Sequence, residues 1–188
     1  MQRKIEQIFA ESIDVKQATL KNNIGTMIRT TEAIVKALKG GHKLFFCGNG
    51  GSAADCQHIA AEFVGRFQKE RRAWPAIALT TDTSALTALG NDYSFDIVFS
   101  RQLQALGQAG DVLIAISTSG NSKNVLEAVK QAKAIGMISV GVTGGSGGQL
   151  AGLSDIAIIA ASSKTARIQE SHLVIFHSLC ELVENILA

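Results

Sequence analysis

The sequence predicts an α/β fold: a three-layer αβα sandwich around a five-stranded parallel sheet, with an N-terminal helical extension. Three observations carry this. Five short segments are apolar on both faces, as strands buried inside a parallel sheet are. Each runs into a polar, glycine- or serine-rich turn and then into a helix, the order of a doubly wound sheet. A single proline and the lack of any linker or low-complexity stretch keep all 188 residues within one domain, 1–188.

Residues 1–40 show helical periodicity twice. Ile5, Ile8, Phe9, Ile13 and Val15 form one face, and Ile24, Met27, Ile28, Ile34, Val35 and Leu38 another. Two N-terminal helices are therefore expected, ended by "KGGHK". The strand "KLFFC" (43–47) leads into "GNGGSAAD", "PAIALT" (75–80) into "TDTSA", and "DVLIAI" (111–116) into "STSGNS". "MISVGV" (137–142) leads into "TGGSGG", "DIAIIA" (155–160) into "SSKTAR", and a long helix runs from about 165 to the C-terminus. Ligands of such sheets bind at the carboxyl ends of the strands, where all of these turns fall.

The composition is globular, with 46% hydrophobic and 18% charged residues. A net charge of +2 with interspersed signs gives no reason to expect nucleic acid or a membrane surface as partner. The densest basic cluster, "RFQKERR" at 66–72, reads as a solvated loop or helix end. Cys47, Cys56 and Cys180 are widely spaced and include no CxxC, which argues for a reducing compartment. "MQRKIEQIFAES" lacks the apolar core of a signal peptide, and no run approaches the ~18 apolar residues of a membrane span. A cytoplasmic protein is expected.

"GNGGSAAD" can be read as a dinucleotide fingerprint on Gly48, Gly50 and Ala53, but that pattern wants an acidic residue closing the next strand, and Asp82 comes too late. A turn that merely packs strand against helix explains it equally. "STSGNS" says more. Ser117, Thr118, Ser119 and Ser122 crowd a helix start whose unpaired amides favour an anion, and Gly120 permits close approach. An N-cap needs only one hydroxyl; four suit a phosphate monoester. The P-loop ending "GK[ST]" is missing, which disfavours a nucleoside triphosphate.

His58 and Glu62 lie one turn apart on a helix face, about 6 Å along its axis. Such a pair can be a surface hydrogen bond, half of a metal site or an acid/base couple. In the last helix Gln169 and His177 project within about 80° of each other, about 12 Å apart along the axis, so they could flank one ligand from either side. His172 faces elsewhere, as a packed or surface histidine. Together His58, Glu62, Gln169 and His177 make a mixed N/O donor set for zinc or a related divalent ion.

"CGNGGSAADCQHIAAEFVGRF", "ALTALGNDYSFDIVFSRQ", "GDVLIAISTSGNSKNV" and "ARIQESHLVIFH" together resemble the phosphoheptose isomerases over nearly the whole chain. These are bacterial sugar-isomerase (SIS) domain enzymes that convert sedoheptulose 7-phosphate to D-glycero-D-manno-heptose 7-phosphate, the first step toward ADP-heptose and the lipopolysaccharide core. The resemblance implies a flavodoxin-like SIS fold, a cytoplasmic homotetramer with N-terminal helices in the assembly, and sites near subunit interfaces. It implies a zinc site on His58, Glu62, Gln169 and His177, and a catalytic pair in Glu62 and His177. Implied substrate contacts are Asn49, Gly50, Gly51, Ser52, Glu62, Arg66, Asn91, Asp92, Ser117, Thr118, Ser119, Ser122 and Gln169. Ala166 departs from members that carry an acidic residue before "RIQ". A non-catalytic SIS-domain cousin binds the bacterial replication initiator; it lacks the carboxylate and histidine matching Glu62 and His177, and this chain has both. An isomerase or sensor for a different ketose phosphate is the third alternative.

Overall fold

The computed structural model describes residues 1–188. Five strands, β1 (Leu44–Gly48), β2 (Ala76–Ala78), β3 (Val112–Ile116), β4 (Ile138–Gly144) and β5 (Ile156–Ala160), pair in parallel in the order β2-β1-β3-β4-β5. All five residues of β1 and of β3 are buried, because helices cover both faces of the sheet. Phe46, Ile114 and Val140 point into one apolar layer; Phe45, Leu113 and Ala115 point into the other.

The helices follow the strands: α2 (Gly51–Val64), α3 (Thr83–Asp92), α4 (Ser100–Leu106), α5 (Lys123–Ile135), α6 (Gly148–Leu153) and α7 (Thr165–Leu187). Helix α2, α7 and the N-terminal helix cover the first layer; α4 and α5 cover the second. Asp82, unsuited to a ribose contact, instead caps α3 by accepting the Ala85 N–H at 2.9 Å.

The N-terminal segment differs from expectation. Residues Gln2–Lys39 form one 38-residue helix, α1, rather than two. No proline or capping residue with a helix-ending geometry interrupts it, and Gly25 sits within it at the modest cost of one interior glycine. Its predicted apolar faces are also partly misplaced. Ile5, Ile8, Phe9, Ile13, Ile24 and Ile28 are exposed, whereas Thr19 and Asn23 are buried. The reason is β5, an edge strand whose backbone would otherwise lack partners. Asn23 Nδ2 donates to Ile159 O at 3.0 Å, its Oδ1 accepts from Ile159 N at 3.0 Å, and Thr19 Oγ1 accepts from Ala161 N at 3.0 Å. Polar side chains of α1 thus close the sheet. No helix is long and apolar enough to cross a membrane, and Cys47, Cys56 and Cys180 are free and buried.

Candidate active site

In the strand order 2-1-3-4-5, the sideways direction in which successive strands are added reverses between β1 and β3, and the crevice beyond their carboxyl ends is the expected ligand site. Gly48 pairs with Ile116, so the turns after β1 and β3 leave the sheet at one level. Both carry predicted site residues. Asn49, in the first turn, exchanges two amide hydrogen bonds with Asn124 on α5, at 2.9 and 2.8 Å. Asn124 is a residue the sequence motifs do not single out; its only sequence signal is an amide in the first turn of the helix after "STSGNS".

Gly50 takes the left-handed backbone (φ 55°) that turns the chain into α2, and Ser52 is buried beneath the turn. A Cβ built on Gly51 would stand 2.3 Å from Gln169 Nε2, so the α7 amide lies directly against the start of α2. In the second turn Ser117 Oγ is 2.9 Å from Ser122 Oγ and 3.4 Å from Ser119 Oγ. Ser122 occupies the N-cap position of α5 but its hydroxyl makes no capping bond, leaving the first amides of α5 available to an anion. A brace stands behind this turn: Gly120 O accepts from Leu150 N at 2.9 Å, and Asn121 Oδ1 accepts from Gln149 N at 3.1 Å.

Helices α2 and α7 lie side by side, and seven residues after Gly51 comes His58, eight after Gln169 comes His177. The two helices therefore meet twice along this seam. At the second meeting, donor atoms of His58, Glu62 and His177 all lie within 4.8 Å of one another. His58 Nε2 is 3.2 Å from Glu62 Oε1, and the His58 and His177 rings are 5.1 Å apart, edge to face. Glu62 and His177 are half-buried and His58 is exposed. Donors bound about 2.0–2.1 Å from a tetrahedral ion stand about 3.4 Å apart, so two imidazoles and a carboxylate at this spacing fit a divalent metal with small side-chain adjustments. Asp55, one turn before His58, has an Oδ2 that is buried without a hydrogen-bond partner. Burial pushes its carboxyl up, and the charge of His58 opposes that shift.

Three predicted residues are not gathered here. Arg66 is exposed and faces Glu70 at 3.8 Å. Asn91 and Asp92 end α3 on the surface and bond to each other at 2.8 Å. His172 is fully buried, with Nε2 3.0 Å from Thr143 O and Nδ1 unpaired; burial lowers its pKa, against the raising effect of the Thr143 contact. It is a packed histidine. The "RFQKERR" stretch is not simply a solvated loop, because Arg71 is buried against Glu184.

The model of the SIS domain family matches residues 7–144, a span that holds β1 to β4 of the parallel sheet and the hydroxyl-lined turn at its switch point. The chain is 55% identical over 184 residues to a phosphoheptose isomerase of Campylobacter concisus, covering 96% of this chain and 97% of that one. It is 52% identical to that of Aquifex aeolicus, covering 98% and 97%. The solved phosphoheptose isomerase of Neisseria gonorrhoeae superposes with a TM-score of 0.93 at 46% identity, over 98% of each chain. The chain belongs to the phosphoheptose isomerase family.

Proposed function

We propose that this chain interconverts sedoheptulose 7-phosphate and D-glycero-D-manno-heptose 7-phosphate. The observation that carries the proposal is the convergence of His58, Glu62 and His177 along the α2–α7 seam that begins at the β1 turn. Its relatives' name, phosphoheptose isomerase, supplies the substrate class. Hydroxyls of Ser117, Thr118, Ser119 and Ser122, with the free amides of α5, hold the phosphate. Asn49, Gly50, Gly51 and Ser52 frame the sugar chain, with Gln169 over Gly51.

Aldose–ketose exchange moves a proton between neighbouring carbons through an enediol and needs a second group to manage the oxygen protons. Glu62 takes the proton from one carbon and returns it to the next. His177 donates to and accepts from the two oxygens. His58, Glu62 and His177 would hold zinc or a similar divalent ion, and Gln169, whose amide lies against Gly51 at the other meeting of the two helices, would become a fourth donor only by swinging toward them. Such an ion supplies electrostatic stabilisation of developing oxygen charge. The exposed positions of Arg66, Asn91 and Asp92 support a site completed by a neighbouring chain. The exposed apolar face of α1 supports assembly of four chains through their N-terminal helices. Membership of the phosphoheptose isomerase family supports the rest of the reading, a cytoplasmic homotetramer acting in heptose synthesis for lipopolysaccharide.

The test is incubation of the purified chain with sedoheptulose 7-phosphate, with and without a chelator, following aldoheptose formation. Conversion that falls on chelation and returns with zinc is expected. No conversion under either condition refutes the isomerase reading and favours a binding module; conversion indifferent to chelation refutes the role of the metal alone.

A further inference from the structure

Arg71 and Glu184 form an ion pair (Nε to Oε1 3.2 Å) whose side chains are only 5% and 2% exposed. Burying two charges carries a desolvation penalty that their attraction does not reliably offset, so the groups the pair holds need accounting for. The guanidinium lies 3.8 Å from the Trp74 ring centroid. Its Nη2 donates to Glu62 O at 2.6 Å, and its Nη1 reaches Phe63 O at 2.8 Å, Gly65 O at 2.9 Å and Arg72 O at 3.1 Å. The carbonyls of Glu62, Phe63 and Gly65 close α2, where helix geometry leaves acceptors without intrahelical donors. Arg71 is thus the C-terminal cap of the helix that carries His58 and Glu62.

Glu184 grips the same loop from the other side. It accepts N–H groups of Phe67, Gln68 and Lys69 at 3.2, 2.8 and 2.9 Å. Glu184 stands on α7, two turns beyond His177. Between the two grips, the Phe67 ring lies 5.5 Å from the His177 ring at 33°. One ion pair therefore anchors the backbone of Glu62, the aromatic wall of His177 and the spacing of α2 from α7.

We infer that Arg71 and Glu184 are positioning residues for the isomerisation, holding Glu62 and His177 in working register without touching substrate. The inference rests on the roles proposed above for those two side chains. A pair that only stabilises the fold would leave turnover intact in any variant that still folds. Glu184→Gln keeps the side-chain shape but turns an amide N–H₂ toward the loop donors. Phe67→Leu removes the aromatic wall and leaves the ion pair untouched. Asp155→Asn is the control: Asp155 accepts from Ser139 N and Oγ at 2.8 and 2.6 Å, at the opposite edge of the sheet.

The measurements are kcat and KM for sedoheptulose 7-phosphate at a temperature where circular dichroism finds the full-length proteins folded, and the ring ¹⁵N resonances of His177. Glu184→Gln is expected to lower kcat at least about tenfold with KM within about twofold, and to move the His177 resonances. Phe67→Leu is expected to lower kcat and move the His177 resonances as well, and Arg71→Lys, which keeps the charge but loses the fork to the α2 carbonyls, carries the test if Glu184→Gln does not fold. Asp155→Asn should keep wild-type values. Wild-type kcat in the folded variants, or unmoved His177 resonances, overturns the inference, as does an equal loss in Asp155→Asn. A wild-type protein that leaves the sugar phosphate unchanged refutes the isomerase reading instead, and the His177 resonances still decide whether the pair positions the ring.

Discussion

Glu62 owes its place to a helix register, and His177 owes its place to packing. The first was legible from the sequence because residues four apart share a helix face whatever surrounds them. The arrival of His177 within 4.8 Å was not, since it depends on α7 lying against α2. The burial of Arg71 is hidden from the sequence for the same reason. A charge run looks solvated until its partner, Glu184, is brought from 113 positions away. At this scale Gly51 gives a sharp test. A methyl there meets the end of a flexible side chain, Gln169, and no backbone atom is among its nearest neighbours. Gly51→Ala should fold with nearly unchanged melting temperature while turnover falls on the order of 10–100-fold through displacement of the Gln169 amide. Wild-type kinetics would show that the contact is incidental.

Among elements, β1, β3 and β4 are readable because burial on both faces leaves a continuous apolar run, and β5, buried on one face and half-buried on the other, keeps the same apolar run. Helix α1 was not. Its two stripes suggest two helices with apolar faces inward, yet the inward positions Thr19 and Asn23 serve the backbone of β5, and Ile5, Ile8, Ile13, Ile24 and Ile28 face out while Ile34 packs into the core. Nothing local announces an unpaired strand edge. The phosphate turn shows a different dependence, on the loop behind it. Gly120 has φ +66°, and a Cβ there would stand 2.1 Å from Gly147 O, a backbone atom that cannot swing aside. Gly120→Ala should destabilise the protein by roughly 1–3 kcal/mol from backbone strain alone, and more from the clash. It should also weaken binding of the sugar phosphate, read by calorimetry on the folded fraction. Unaltered affinity would mean that the turn does not hold the phosphate.

For the molecule as a whole, α1 and α7 leave apolar ground uncovered. Leu20 is 54% exposed and borders two clefts, one shared with Met27 and Val174, the other with Ile24 and Leu182. This extent of apolar surface is what oligomer interfaces cover. Leu20→Asp is expected to dissociate the proposed tetramer to smaller species in light scattering while each chain keeps its helical signal. A tetramer that survives the change would move the interface elsewhere.

Everything in the proposed reaction turns on Glu62, assigned to carry the proton between the two carbons of a bound sugar phosphate. The most direct measurement compares the wild type with Glu62→Gln on sedoheptulose 7-phosphate, following aldoheptose formation and, by calorimetry, ligand binding. Turnover should fall on the order of 10²–10⁴-fold with binding of the sugar phosphate retained. Isomerisation at the wild-type rate by Glu62→Gln would show that another group moves that proton.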